Sequence, residues 1–230
     1  MTKKQNILIG GITGGIGGSL ARRLLADGHL VVGFARDTDR AEAFEQETGA
    51  KVETCDATDP EALETTFTAL AKELGHIDAY VHAIGSIYIK PAHLTPIDDW
   101  ANTLTQNLSS AFYALRLAAK RMQKQGSGSC LFFSTAAAQT GLANHEAIAA
   151  AKGGIEAMVR SAAATYSSKG LRFNAIAPSL TNTPLAKPIV GNEQALEFSK
   201  RMHPLNAIAD PGDVAGLASW LLSDEARFVT

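Results

Sequence analysis

The opening of the chain, NILIGGITGGIGGSLARRLLADG from Asn6 to Gly28, constrains the fold more than any other stretch. Ile7–Ile9 is a short apolar run that reads as a buried strand. A glycine-dense turn follows, and then a helical pattern with Leu20, Leu24 and Leu25 on one side. Strand, glycine turn and helix in that order present backbone N–H groups to a phosphate. Glycine admits positive φ and lets a ligand approach the main chain closely. Gly11, Thr13, Gly15, Ile16 and Gly17 form that turn, so a nucleotide cofactor is expected there.

Strand-like runs continue to alternate with helical patterns. The strands are expected at Ile7–Ile9, Leu30–Phe34, Lys51–Thr54, Ala79–Ala83, Ser129–Phe133 and Leu171–Ile176. Helices are expected at Gly17–Asp27, Thr38–Thr48, Pro60–Leu74, Asp98–Gln125, His145–Ser168 and Pro211–Ser223. Asp59-Pro60 and Asp210-Pro211 each set an N-cap before a proline at the first helical position. Serial βα units predict an α/β fold, a parallel sheet with helices on both faces. The 230 residues, 46% hydrophobic, suit one domain spanning 1–230. Residues 181–204 are less regular, hold Pro184, Pro188 and Pro204, and read as a flexible insert over a substrate pocket.

Charge and cysteine usage narrow the partners. A net charge of -2 without a basic cluster gives nucleic acid no electrostatic footprint. No run reaches membrane-spanning length, and the first apolar run is too short for a signal peptide. Cys55 and Cys130 sit at strand ends as buried thiols, with no disulfide framework or metal spacing, which suits the cytoplasm. Arg36 follows the second strand where an acidic residue would hold an adenosine ribose; a guanidinium there can fork onto a 2′-phosphate. Asp37 falls beyond the strand end. The cofactor expected is therefore NADP(H).

These features together resemble the short-chain dehydrogenase/reductase family over nearly the whole chain. Gly11, Gly15 and Gly17 match its glycine motif, with Gly10 in place of the usual leading threonine. The segment after the third strand, Cys55 to Asp59, is similar to the family's adenine segment, which implies Asp56 and Ala57 as contacts. His82-Ala83-Ile84-Gly85 stands where Asn-Asn-Ala-Gly is frequent, so contacts from Ala83 and Gly85 are backbone ones. Asn107 matches a helix asparagine that supports the catalytic lysine. Pro178 to Thr183 resembles the Pro-Gly-x-x-x-Thr segment beside the nicotinamide, with Ser179 for glycine. The resemblance implies a Rossmann-type doubly wound sheet of six strands. The usual final strand is missing, because the chain stops at Thr230, which would leave a sheet edge open.

Family chemistry moves a hydride between nicotinamide C4 and a carbonyl carbon, with a tyrosine exchanging the oxygen's proton. Lys152 matches the lysine, and the tyrosine position four residues earlier holds Ile148. Thr135 takes the serine position, with Ser134 beside it. His145, seven residues before Lys152, lies within about 40° of the same helix face and roughly 10 Å along the axis. The enoyl reductase branch places its tyrosine at that spacing, and histidine is a natural proton donor near neutrality. Glu146 points about 100° away. Tyr88 reads as a loop anchor.

Three functions remain open. The first is an NADP(H)-dependent oxidoreductase for a small carbonyl or alcohol, using Lys152, Asn107, Thr135 and His145. The second is an NADP-binding regulatory or scaffold protein that has lost chemistry. The third is a reductase of carbon–carbon double bonds. No metal is expected. Small residues from Ala149 to Gly154, together with the preceding helix, imply a homodimer or homotetramer by the same resemblance.

Overall fold

A computed structural model describes residues 4–230. Six parallel strands form one sheet: β1 Asn6–Gly10, β2 Leu30–Ala35, β3 Val52–Thr54, β4 Ala79–His82, β5 Gly128–Phe133 and β6 Leu171–Ile176. The order is β3-β2-β1-β4-β5-β6. The chain moves outward from β1 to β3, then returns to lay β4 on the other side of β1, with Leu8 opposite Val32 and Tyr80. That reversal opens a crevice at the carboxyl ends of β1 and β4, the general ligand position of such sheets.

Strand alternation builds two cores. Leu8, Tyr80, Phe132 and Phe173 face α3 (Pro60–Leu74), α5 (Ser110–Gln125) and α7 (Glu146–Tyr166). Ile7, Ile9, Val81 and Leu131 face α1 (Gly15–Ala26), α2 (Thr38–Thr48) and α10 (Pro211–Leu222). β1, β2, β4 and β5 are buried on both faces, which is why they read as near-continuous apolar runs, whereas the edge strands β3 and β6 carry polar residues on one face. Cys55 and Cys130 are buried within the first of these cores. Asp59 and Asp210 cap α3 and α10, as their Asp-Pro pairs require.

Two expectations need correction. The single helix expected over Asp98–Gln125 is α4 (Ile97–Leu104), a π turn at Thr105–Ser109 and then α5. Side-chain bonds stand at this turn. Asn107 Nδ2 donates to the Thr103 carbonyl at 3.0 Å, and the Ser110 hydroxyl donates to the Gln106 carbonyl at 2.8 Å. A π turn inside a helix frequently marks a functional position. The insert at 181–204 is not irregular: it carries α8 (Lys187–Val190) and α9 (Glu193–Arg201), with α6 at Ala137–Thr140 earlier in the chain. Its neck is clamped by Asn182 N–H to Ala209 O at 2.8 Å and Ala209 N–H to Leu180 O at 3.2 Å.

The outer edge of β6 is partly occupied. Phe173 N–H donates to Thr230 Oγ1 at 2.9 Å, and Val229 O accepts from Arg172 and Asn174. No described helix is long and apolar enough to cross a membrane.

Candidate active site

The crevice begins where β1 turns into α1. Gly11 has φ +80°, and a Cβ there would lie 2.6 Å from the Ala83 carbonyl. Only glycine satisfies both demands, so the turn hugs the end of β4. Its N–H donates to Phe34 O at 2.8 Å, tying it to β2 as well. Gly14 precedes α1 in extended geometry, and no side chain caps the helix. The first N–H groups of α1 thus lack the usual side-chain acceptor, an arrangement complementary to phosphate oxygens.

Farther along the carboxyl edge, Arg36, Asp56, Thr58 and Tyr88 line a recess of about 450 Å³. Arg36 is exposed. Asp37 is spent on capping α2, its Oδ1 accepting from Arg40 N–H at 3.0 Å. Asp56 Oδ1 accepts from Thr58 N–H at 2.9 Å and from the Thr58 hydroxyl at 2.8 Å. The backbone bond foremost, then the hydroxyl and the Arg36 charge, hold this carboxyl below its usual range. Ala57 lies buried in the core and does not line the recess. The Tyr88 hydroxyl donates to Asp99 Oδ2 at 2.9 Å, so Tyr88 anchors its loop on this side, away from Lys152. Arg40, which sequence reasoning passed over, donates to the Thr13 carbonyl and so sets a second guanidinium at the glycine turn.

The other end is built around Gly85. A Cβ there would meet Asn107 Oδ1 at 2.9 Å and Lys152 Nζ at 3.1 Å, so glycine lets the loop after β4 pass against both. Asn107 is buried, and its amide is fully committed: Oδ1 accepts from Ser86 N–H at 2.9 Å, and Nδ2 donates to Ser86 Oγ at 2.8 Å and Thr103 O. Lys152 is no surface ammonium. It is buried, and Nζ donates to the Phe133 carbonyl at 3.0 Å. Desolvation pulls its pKa down to about 8. His82 lies wholly buried below; burial first, then the Lys152 charge, push it down to about 3, which keeps it neutral.

Ile16, Ala83, Gly85, Thr135, His145, Ile148, Lys152, Pro178 and Thr183 share one cavity of about 470 Å³, roofed by α8 and α9. Ile148 is buried and supplies an apolar wall. Thr135 faces the cavity, whereas the Ser134 hydroxyl is directed at Glu156 Oε1 (2.7 Å) and the Lys152 carbonyl (3.1 Å), bracing β5 against α7. Pro178 O accepts from Ala136 N–H, which joins the segment after β6 to the one after β5. Thr183 Oγ1 accepts from Ala186 N–H at 3.3 Å and starts the roof.

His145 is half-buried at the N-cap of α7. Its Nδ1 lies 2.7 Å from the Ala143 carbonyl. A carbonyl only accepts, so Nδ1 carries a hydrogen, and Nε2 is the nitrogen left to exchange a proton. His203, also unforeseen, lines the cavity from the roof.

Comparison with known proteins bears on the fold and the family. A family profile described as enoyl-(acyl carrier protein) reductase matches residues 11–230. A 3β-hydroxysteroid dehydrogenase from Eggerthella lenta is 28% identical over 235 aligned positions, covering 99% of this chain and 90% of that protein. Among solved structures, a short-chain type dehydrogenase/reductase from Mycobacterium ulcerans superposes with a TM-score of 0.95 at 27% identity, covering 100% of this chain and 87% of that one. An NAD+-bound xylitol dehydrogenase gives 0.91 at 26% identity, covering 99% and 96%. The chain is an oxidoreductase of the short-chain dehydrogenase/reductase family.

Proposed function

We propose that this protein is an NADP(H)-dependent oxidoreductase acting on a small carbonyl or alcohol. The observation that carries the reading is the convergence of a buried Lys152, Thr135 and His145 on one largely apolar cavity beside the glycine turn, with Asn107 buried behind Gly85 against Lys152. When bound, the dinucleotide supplies or removes a hydride at its nicotinamide ring. The turn from Gly11 through Thr13, Gly15, Ile16 and Gly17 holds the pyrophosphate on the N-terminus of α1. Arg36, with Arg40 behind it, takes the 2′-phosphate, and Asp56 borders the adenine. Ala83 and Gly85 offer main-chain contacts. Lys152 holds the nicotinamide ribose, and Pro178 and Thr183 border the ring.

The proton is exchanged by the protein. Thr135 donates a hydrogen bond to the substrate oxygen. In reduction the His145 imidazolium gives its Nε2 proton to that oxygen as the carbonyl carbon gains the hydride, leaving an alcohol. In oxidation the neutral ring takes the alcohol proton back. The bond from Nδ1 to Ala143 O stabilises the ring in the tautomer this requires. Ile148, where the family's tyrosine would stand, excludes water and moves no proton.

Two other readings keep one supporting observation each. The apolar Ile148 favours an NADP-binding protein without turnover. The seven-residue spacing from His145 to Lys152 and the description of the matched profile favour carbon–carbon double-bond reduction. The buried thiols support a cytoplasmic setting. Assembly as a homodimer or homotetramer through α5 and α7 is supported by the exposed Phe112 and the open space at Gly153; Gly154 instead packs on Leu108 of its own chain.

Purified protein is assayed for NADPH oxidation with matched ketones and enals. Substrate-dependent oxidation with ketones is expected, and the His145→Phe variant loses about 100-fold or more in kcat. Unchanged turnover in that variant removes His145 from the chemistry. Oxidation with enals alone moves the protein to the double-bond class, and none with any substrate leaves the binding-protein reading.

A further inference from the structure

The cavity meets water through large apolar side chains. Six of the residues that line it are exposed, and five of those are Ile87, Ile89, Leu185, Phe198 and Met202; the sixth is Ser179. The five keep between 41% and 66% of their surface in solvent. Such side chains scattered singly over a protein are ordinary, but several gathered at one concavity mark a place where something apolar binds. They come from two segments far apart in the sequence, the loop after β4 and the roof. None lies on α5 or α7, the helices proposed for assembly. They share the cavity with the buried Ile148 and with Thr135 and His145.

The polar part of the wall is nearly free of charge. No Arg, Asp or Glu lines the cavity, and its lysine, Lys152, lies buried at the reacting end with Nζ donating to Phe133 O. Several hydroxyls are engaged within the protein: Ser134 donates to Glu156, Thr181 donates to Ser179 O, and Thr183 accepts from Ala186 N–H. Ser86, Ser179 and Ser199 add further hydroxyls, which carry no charge. A carboxylate or phosphate tail therefore meets no counter-charge in this wall. A tail of hydroxyls exchanges water for isoleucine, phenylalanine and methionine, which costs free energy. An alkyl tail gains from the same exchange.

We propose that the substrate is an uncharged carbonyl or alcohol with an extended apolar tail. The reacting carbon sits beside Thr135 and His145, and the tail runs outward over Ile87, Ile89, Leu185, Phe198 and Met202, covering them from water. This rests on the cavity being the site of the proposed oxidoreductase chemistry. Recognition of the tail is by area, without a second polar group. A fully buried methylene multiplies affinity about fourfold, and a half-covered one about doubles it.

The probes share one reacting end: cyclohexanone, 4-pentylcyclohexanone and 4-(2-methoxyethoxy)cyclohexanone, the last having a tail as long as the pentyl chain but with two ether oxygens. Each is titrated calorimetrically into the full chain saturated with NADP+, and turnover with NADPH is measured on the same samples. The pentyl ketone is expected to bind about 30-fold more tightly than cyclohexanone, from five half-covered carbons at about twofold each. The ether ketone is expected to stay within about threefold of cyclohexanone, because its oxygens give up water on entering. Ile89→Ser and Phe198→Ser alter exposed positions, where truncation spares the fold. Each is expected to cut the ratio of pentyl ketone to cyclohexanone affinity to about a third, and the double variant to cut it further. A wild-type ratio below about fivefold, an ether ketone that binds as tightly as the pentyl ketone, a ratio kept in both variants, or no binding of any probe overturns the proposal. Loss of affinity for all probes alike in the variants also overturns it, since that outcome reports damage to the cavity and not contact with a tail. Turnover reports on the oxidoreductase reading separately. Ketones reduced with no preference for the pentyl tail keep the reaction and remove the tail site, whereas a pentyl preference without reduction keeps the apolar site and removes the reaction.

Discussion

The two ends of the crevice are built on different principles. At the phosphate end the working groups are main-chain N–H donors, and the side chains are chosen for being absent. Gly11 and the uncapped start of α1 make up that proposed site. At the reacting end the main chain is the support, and side chains do the work under conditions set by burial and by single carbonyl acceptors. Lys152 is tuned by desolvation, while His145 and His203 are each oriented by one backbone oxygen. A site made of backbone tolerates almost no substitution yet carries no chemical identity. A site made of oriented side chains can exchange one proton carrier for another, and the proposed role of His145 beside Ile148 depends on such an exchange.

The largest expected effect tests the backbone end. Gly11→Ala forces a Cβ into a residue with φ +80° and to within 2.6 Å of the Ala83 carbonyl. The left-handed conformation alone costs about 1–2 kcal/mol, and the displaced backbone adds to it. A loss of about 3 kcal/mol or more in unfolding free energy is expected, together with loss of detectable nicotinamide nucleotide binding. Denaturant melts and calorimetry check both. A variant with wild-type stability and affinity would dissolve the distinction drawn between the two ends.

The next test addresses the reacting end through pH. The buried Lys152 ammonium has its pKa lowered to about 8 in the fold, against 10.5 for the free side chain. Between those values the unfolded chain binds more protons than the folded one, so stability rises with pH there. The destabilisation from this group is complete below pH 8 and relieved as pH climbs through 8 towards 10.5. Lys152→Met lacks the effect. In the cofactor-free protein the variant is therefore expected to gain on wild type at about pH 7, and that advantage is expected to shrink by about 2 kcal/mol by about pH 9.5. Parallel melting curves across that window would mean that Lys152 is solvated, and the reacting end would lose its buried cation.

The fold was legible because its signals are local and redundant. The central strands are apolar runs of the right length, and Asp59 and Asp210 announce their helices one residue ahead. The π turn was not legible, since the pattern from Asp98 to Gln125 stays helical and the extra residue is stabilised by bonds from Asn107 and Ser110 that exist only in three dimensions. The roof helix α9 is a different case. Ala195, Phe198, Ser199 and Met202 recur at helical spacing, and Asn192 caps the helix by accepting from Ala195 N–H at 3.0 Å. That stripe was present in the sequence, but the nearby prolines drew attention to irregularity. Within the site, Gly11 and Lys152 could be found by pattern. The ring orientations of His145 and His203 could not, because each depends on a backbone carbonyl whose direction no residue type encodes.

The smallest effect tests whether the backbone end carries any chemical identity of its own. Arg36 is exposed at the lip of the recess it shares with Asp56, and Asp37, the carboxylate next to it in sequence, is bound to Arg40 N–H as the α2 cap. The proposed NADP preference assigns that guanidinium to a 2′-phosphate, with Arg40 fixed close by through Thr13. Charge-assisted bonds of this type contribute about 1.5–3 kcal/mol, and exposure to solvent puts this one at the low end of that range. Arg36→Ala is expected to weaken NADPH binding about tenfold and to leave NADH binding within about twofold, read by calorimetry at low and at high salt. The loss should shrink as salt rises, because the removed interaction is ionic and solvent-facing. Equal weakening of both coenzymes would make Arg36 a structural residue of the recess. No change in either would shift the selection to Arg40, and Arg40→Ala would then be expected to show the salt-sensitive, NADPH-specific loss in its place.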